Sequence, residues 1–142
     1  MAFKLHKGRT KVMYFPRPAS TTFAEGDLVY FNTSGQVIPA DATSGQHVGV
    51  IKKAVATTDT DYATANVLVP IEVPLDRWTL WTVPTSGAVA ADVGNQIDLT
   101  DAGTADRSAG AKDALLVTGI VSATEIIVTI LSNADIKDTA TT

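Results

Sequence analysis

Branching at the β-carbon constrains this chain more than any other feature. Val, Ile and Thr contribute 15, 9 and 20 residues, 44 of the 142 in all. Two heavy atoms on Cβ restrict χ1 and suit a pleated surface better than a helix. Glu, a good helix former, occurs only 3 times. The 20 Ala cluster in Thr/Ser/Asp/Gly-rich stretches such as 40–42 and 102–111, where no helical period supports them. Short apolar runs, with turn residues recurring at intervals of about 8–12, predict an all-β fold: a small β-barrel or sandwich of about seven or eight short strands.

The runs can be placed one by one. Lys11–Phe15 reads as a short strand stopped by Pro16 and Pro18, neither of which can donate to a ladder. Leu28–Asn32 and Gln36–Pro39, joined through Thr33-Ser34-Gly35, read as a hairpin. His47–Val55 is the next strand. Asn66–Val73 follows the polar loop 57–65, and its Pro70 indicates an edge position or a bulge. In Asp76–Val83, residues Trp78, Leu80 and Thr82 alternate with Thr79, Trp81 and Val83, so one indole faces the core and the other a rim or a partner. Gln96–Leu99 is short, and 100–113 reads as a long polar insertion. Ala114–Ser122 and Glu125–Leu131 form a second hairpin.

Charge divides the chain differently from hydropathy. Residues 1–24 carry Lys4, Lys7, Arg9, Lys11 and Arg17 with no acid, whereas the rest carries 6 basic and 15 acidic side chains. This predicts a basic extended N-terminal arm over 1–22, an acidic β-body over 23–132 and a polar tail over 133–142. A basic arm carrying Phe3, Tyr14 and Phe15 suits an acidic protein surface, with the charges steering the encounter and the rings anchoring it. The same arm could neutralise phosphates and stack bases, but the acidic body would repel nucleic acid, which leaves that partner as the weaker alternative.

Catalytic chemistry finds little to work with. The chain has no Cys and only His6 and His47, so thiolate nucleophiles, thiolate metal sites and disulfides are excluded. No Gly-x-Ser-x-Gly elbow, phosphate-binding loop or dinucleotide fingerprint is present. Asp98, Asp101, Asp106 and Asp113 are spaced like no calcium loop and are interrupted by Arg107 and Lys112, so they read as solvated. The expectation is a non-enzymatic protein with no catalytic residues, cofactor or metal. No apolar run is long enough to span a bilayer, and no apolar stretch follows the N-terminal cations as a signal peptide requires, so no membrane partner is expected.

A resemblance sharpens these expectations. Phe23-Ala-Glu-Gly-Asp-Leu-Val-Tyr30, Ser34-Gly-Gln-Val-Ile-Pro-Ala40 and Gly45-Gln-His-Val-Gly-Val-Ile51 together resemble the head decoration (cement) proteins of tailed bacteriophages. The related lambda-type members are likewise small, Cys-free, Thr/Ala/Val-rich β-proteins. The resemblance implies a virion structural protein made in the host cytoplasm. It would bind the outer surface of the expanded head and stabilise the shell by bridging major capsid protein subunits. It implies self-association as well, as a homotrimer or alternatively a dimer. The arm residues Phe3, Lys4, Lys7, Arg9, Lys11, Tyr14, Phe15 and Arg17 then become the expected capsid contacts. Tyr30, Tyr62, Trp78 and Trp81 are the aromatic candidates for interfaces. Another virion or tail structural protein, partnering with tail proteins rather than heads, would share this composition and remains the alternative.

Overall fold

The computed structural model describes residues 2–41, 47–107 and 114–131. The tail 133–142, residues 42–46 of one loop and 108–113 of the polar insertion lie outside the described residues. The fold is all-β, with two antiparallel sheets, neither closed into a barrel, which fits the sandwich form of the expectation. It has more strands than the sequence suggests: β1 (Lys4–Lys7), β2 (Thr10–Arg17), β3 (Leu28–Phe31), β4 (Val37–Pro39), β5 (His47–Ile51), β6 (Val67–Pro74), β7 (Leu80–Pro84), β8 (Gln96–Asp101), β9 (Thr104–Asp106), β10 (Leu115–Ser122) and β11 (Glu125–Ile130). A short 3-10 turn covers Ala90–Asp92.

The first sheet has the order β1-β7-β11-β10-β8-β9 and the second β2-β6-β5-β3-β4. Both expected hairpins are present, β3 with β4 and β10 with β11. Asn32 sets the first of these turns, its Oδ1 accepting from the backbone N–H of Ser34 and of Gln36, each at 2.9 Å. The second sheet is strongly curled. Phe15 on β2 meets Phe31 on β3 edge-to-face with ring centroids 5.2 Å apart, although β6 and β5 separate those strands in the sheet.

The curl creates two cores. Between the sheets, Trp81, Val83, Ile97, Leu115, Ile126 and Val128 of the first pack with Leu28 and Val50 of the second. On the concave side of the second sheet, Val29, Val37, Ile51, Val69 and Ile71 form another cluster, joined by Phe23, Val55 and Tyr62. Phe23 and Val55 bridge each other through both backbone hydrogen bonds, at 3.0 and 2.9 Å. Each fully buried side chain of this size contributes roughly 1.5–3 kcal/mol. The second sheet is thus apolar on both faces, which is why its strands read as runs rather than as alternations.

Several sequence expectations change. Residues 1–22 do not stand apart as an arm: β1 pairs with β7 and β2 with β6 along its whole length, so the segment forms an edge of each sheet. Pro16 does not stop β2. Arg9 and Arg17 direct their carbonyls to Leu75 and Asn66 on the β6 side, so by strand alternation the nitrogen of Pro16 faces the open edge, where no ladder donor is lost. Pro70 marks neither an edge nor a bulge. It lies in β6 between β2 and β5, and its carbonyl accepts from Lys52, just past the end of β5. The strand expected from Asp76 begins at Leu80, because 75–79 form a turn. Part of the polar insertion is the β8–β9 hairpin, where Asp98 is buried rather than solvated.

Candidate functional site

The chain crosses from the first sheet to the second at Gly8-Arg9 and returns at 75–79, and these two turns meet at one corner. Gly8 is required there. Its φ is +113°, and a Cβ would stand 2.8 Å from Thr79 Cα. The Arg9 carbonyl accepts from the Leu75 N–H at 3.0 Å and the Thr79 hydroxyl at 2.9 Å, which locks one turn onto the other. Asp76 shapes the second turn, its Oδ1 accepting from the Trp78 N–H at 2.9 Å.

This corner presents large apolar side chains to solvent. Trp78 is 65% exposed and Leu75 51%. The Arg77 guanidinium lies 6.0 Å from the Trp78 ring centroid, within cation–π range. Arg9 pairs with Asp76 at 3.4 Å, and both are exposed, so the pair adds little stability and its charges remain addressable. Lys7 and Lys11 flank the corner and are exposed. The arrangement is a rigid apolar projection ringed by cations. It can bind a surface bearing carboxylates and an apolar recess, the combination that concentrates binding energy on Trp and Arg.

The expected contact residues divide by exposure. Lys4, Lys7, Arg9, Lys11, Tyr14 and Trp78 are on the surface. Phe3, Arg17 and Trp81 are buried at 3%, 1% and 0% exposure, which removes them as contacts. Phe15, Tyr30 and Tyr62 are half-buried and belong to the two cores. Base stacking on the N-terminal segment loses two of its three rings for the same reason.

Arg17 is instead a clamp. Its Nη2 donates to the Asp61 carbonyl at 2.9 Å, its Nη1 to Pro18 O at 3.0 Å, and longer contacts reach the Thr64 and Tyr62 carbonyls. Leu75 and Arg77 belong to the corner and are absent from the sequence expectations. The signal for them was Pro74 ending a strand, followed by Asp76 two residues before Trp78, the pattern of an Asx turn.

Two titratable groups elsewhere are perturbed for structural reasons. Burial pushes His47 down to about 4, outweighing a hydrogen bond to the Leu131 backbone and the charge of Asp41. Arg107 holds the Asp92 carboxyl below its ordinary range through hydrogen bonds at 2.7 and 3.3 Å, with the Val89 N–H assisting. Among the described residues, no three His, Cys, Asp or Glu side chains are grouped to hold a metal. Compared with protein-family models and with curated proteins, the chain matches none.

Proposed function

We propose that this protein is a capsid decoration (cement) protein, binding the outside of an expanded bacteriophage head and bridging major capsid protein subunits. The observation that carries the reading is the corner, where exposed Trp78 and Leu75 are held between Arg9 and Arg77 on a chain whose remaining charge is acidic. Cations around an aromatic anchor steer encounter with an acidic protein surface, and the anchor then slows departure. The resemblance over residues 23–51 names that surface as a phage head. A shell repeats one site many times, so modest affinity per corner suffices once neighbouring contacts add avidity. Self-association, as a trimer or a dimer, belongs to the same reading.

Deleting residues 2–18 would not test it, because that removes β1 and β2 and with them the core residue Phe3 and the buried clamp Arg17. Trp78→Ala combined with Arg9→Glu alters only exposed side chains. Wild type should co-sediment saturably with expanded, undecorated heads and not with procapsids, tails or naked DNA, and the double variant should fold normally and fail to bind. Saturable binding to tails alone would move the protein to a tail role. Binding to DNA alone, or undiminished head binding by the variant, would overturn the proposal.

A further inference from the structure

Each sheet has two edge strands, and three of the four edges are poor templates for pairing. β4 and β9 have three residues each, and β1 has four interrupted by a bulge between Leu5 and Lys7. β2 is different: it has eight residues, all in unbroken register with β6. Its odd-numbered residues direct their backbone groups to β6, as the Arg9 and Arg17 carbonyls show. Thr10, Val12 and Tyr14 therefore aim N–H and C=O outward, and among the described residues no backbone group meets them.

The side chains beside this edge are equally unoccupied. Val12 and Tyr14 are 46% and 63% exposed, on the same sheet face as Leu68, which is 60% exposed. Lys11 alternates with them on the opposite face of β2, and Arg9 immediately precedes the strand. A second copy paired edge to edge would bring a second set of cations to this same face, where like charges set opposite each other are destabilising, whereas an acidic segment complements them.

We propose that the free edge of β2 over Thr10–Tyr14 accepts an extended acidic segment of a partner protein as an added strand. Acidic side chains of that segment face Lys11 and Arg9, and apolar ones lie beside Val12 and Tyr14. Main-chain hydrogen bonds supply affinity and the alternation supplies specificity. The N-terminal segment is thereby an acceptor already built into this fold, not an extended arm laid on a partner surface. The inference deepens the protein-binding reading of the same side of the molecule and rests on it.

The test uses the full chain and a short capped peptide in which Val alternates with Glu. Binding should slow amide exchange at Val12 and Tyr14 and leave Lys11 and Met13, already bonded to β6, unchanged. Val12→Pro removes one outward donor and no ladder bond, as Pro16 already does two pairs further along. It should weaken the peptide about tenfold. N-methylation of the peptide amides that must face β2 should abolish binding to the wild-type protein, which keeps the test decisive should the variant fold poorly.

Several results would overturn the proposal: no peptide binding, equal binding of a Val/Lys peptide, equal binding by a folded V12P chain, or a wild-type dimer that V12P dissociates. Failure here is separable from failure of the decoration reading. Heads that bind V12P as tightly as wild type would remove strand addition and leave head binding standing.

Discussion

Replacing Arg17 by Met would remove the clamp and preserve most of its packing, because the two side chains share a long unbranched stem. The guanidinium is 1% exposed and makes two well-formed hydrogen bonds to carbonyls, to Asp61 at 2.9 Å and Pro18 at 3.0 Å. Hydrogen bonds from a charged group contribute about 1.5–3 kcal/mol each. Against this stands the cost of holding a cation out of water, with Asp61 only a distant, half-exposed counter-charge at 3.4 Å. The Tyr62 carbonyl keeps a partner in the variant, since Ser20 also donates to it at 2.7 Å. The net loss works out at roughly 3 kcal/mol, from the two good bonds less the relieved desolvation.

Urea unfolding followed by Trp fluorescence measures that loss, as a midpoint about 1.5 M lower at an m-value near 2 kcal/mol/M. Arg17→Lys should recover only part of it, because an ammonium cannot span carbonyls spread over Asp61 to Thr64 as a planar fork does. The damage should also be local: amide exchange should rise first across 59–66, where Tyr62 and Asn66 hold the segment against β2 and the concave core. A stability loss under about 1 kcal/mol would refute the clamp. So would a normal fold with lost partner binding, which would return Arg17 to the surface role that its sequence context suggests.

Two further perturbations test the electrostatics. His47 has a native value near 4 against an ordinary 6.5, so between those values the unfolded chain binds more protons than the native one and stability falls as pH falls. The loss is about 3 kcal/mol between pH 6.5 and 4, and His47→Gln should flatten the pH profile of the urea midpoint across that window. Asp92, depressed by Arg107, contributes stability that is complete above its ordinary value of 3.8 and is lost as pH falls through the lower native one. Asp92→Asn should lower the midpoint at neutral pH and remove the additional acid-side loss below about pH 4, a window distinct from that of His47.

How far the fold could be read from the chain depended on whether local chemistry or long-range pairing decided each feature. The two hairpins were legible because Asn32 to Gly35 and Ser122 to Thr124 sit between apolar runs and close within a few residues. One indole in and one out was expected from strand alternation and is what the fold has, but Trp78 is out because it sits in the turn before β7. Which was which depended on Asp76 drawing Trp78 into a turn. β8 was legible over Gln96–Leu99, but β9 was hidden by polar residues, and Asp98 and Asp106 face each other in a pair that composition assigns to solvent. No local signal announces that a strand partner will arrive, and β-pairing between distant segments leaves little trace in either segment alone.

The N-terminal segment shows the same limit with a functional consequence. Its cations and its two prolines, read in isolation, describe a solvated arm, because both are scarce in central strands. At an edge, neither objection applies. Pro16 turns its nitrogen to open space, and Lys4, Lys7 and Lys11 project from strands with one flank in water. Arg17 alone is drawn inside, and only because carbonyls brought from 45 residues away await it. The charge asymmetry therefore survives folding as a property of surface rather than of a tail: Lys7, Arg9, Lys11 and Arg77 line the corner and the start of the open edge of β2, while most of the described acids lie elsewhere. A partner that recognises this protein by charge is directed to that corner and edge, where Trp78 and the unpaired amides of Val12 and Tyr14 are already held in place.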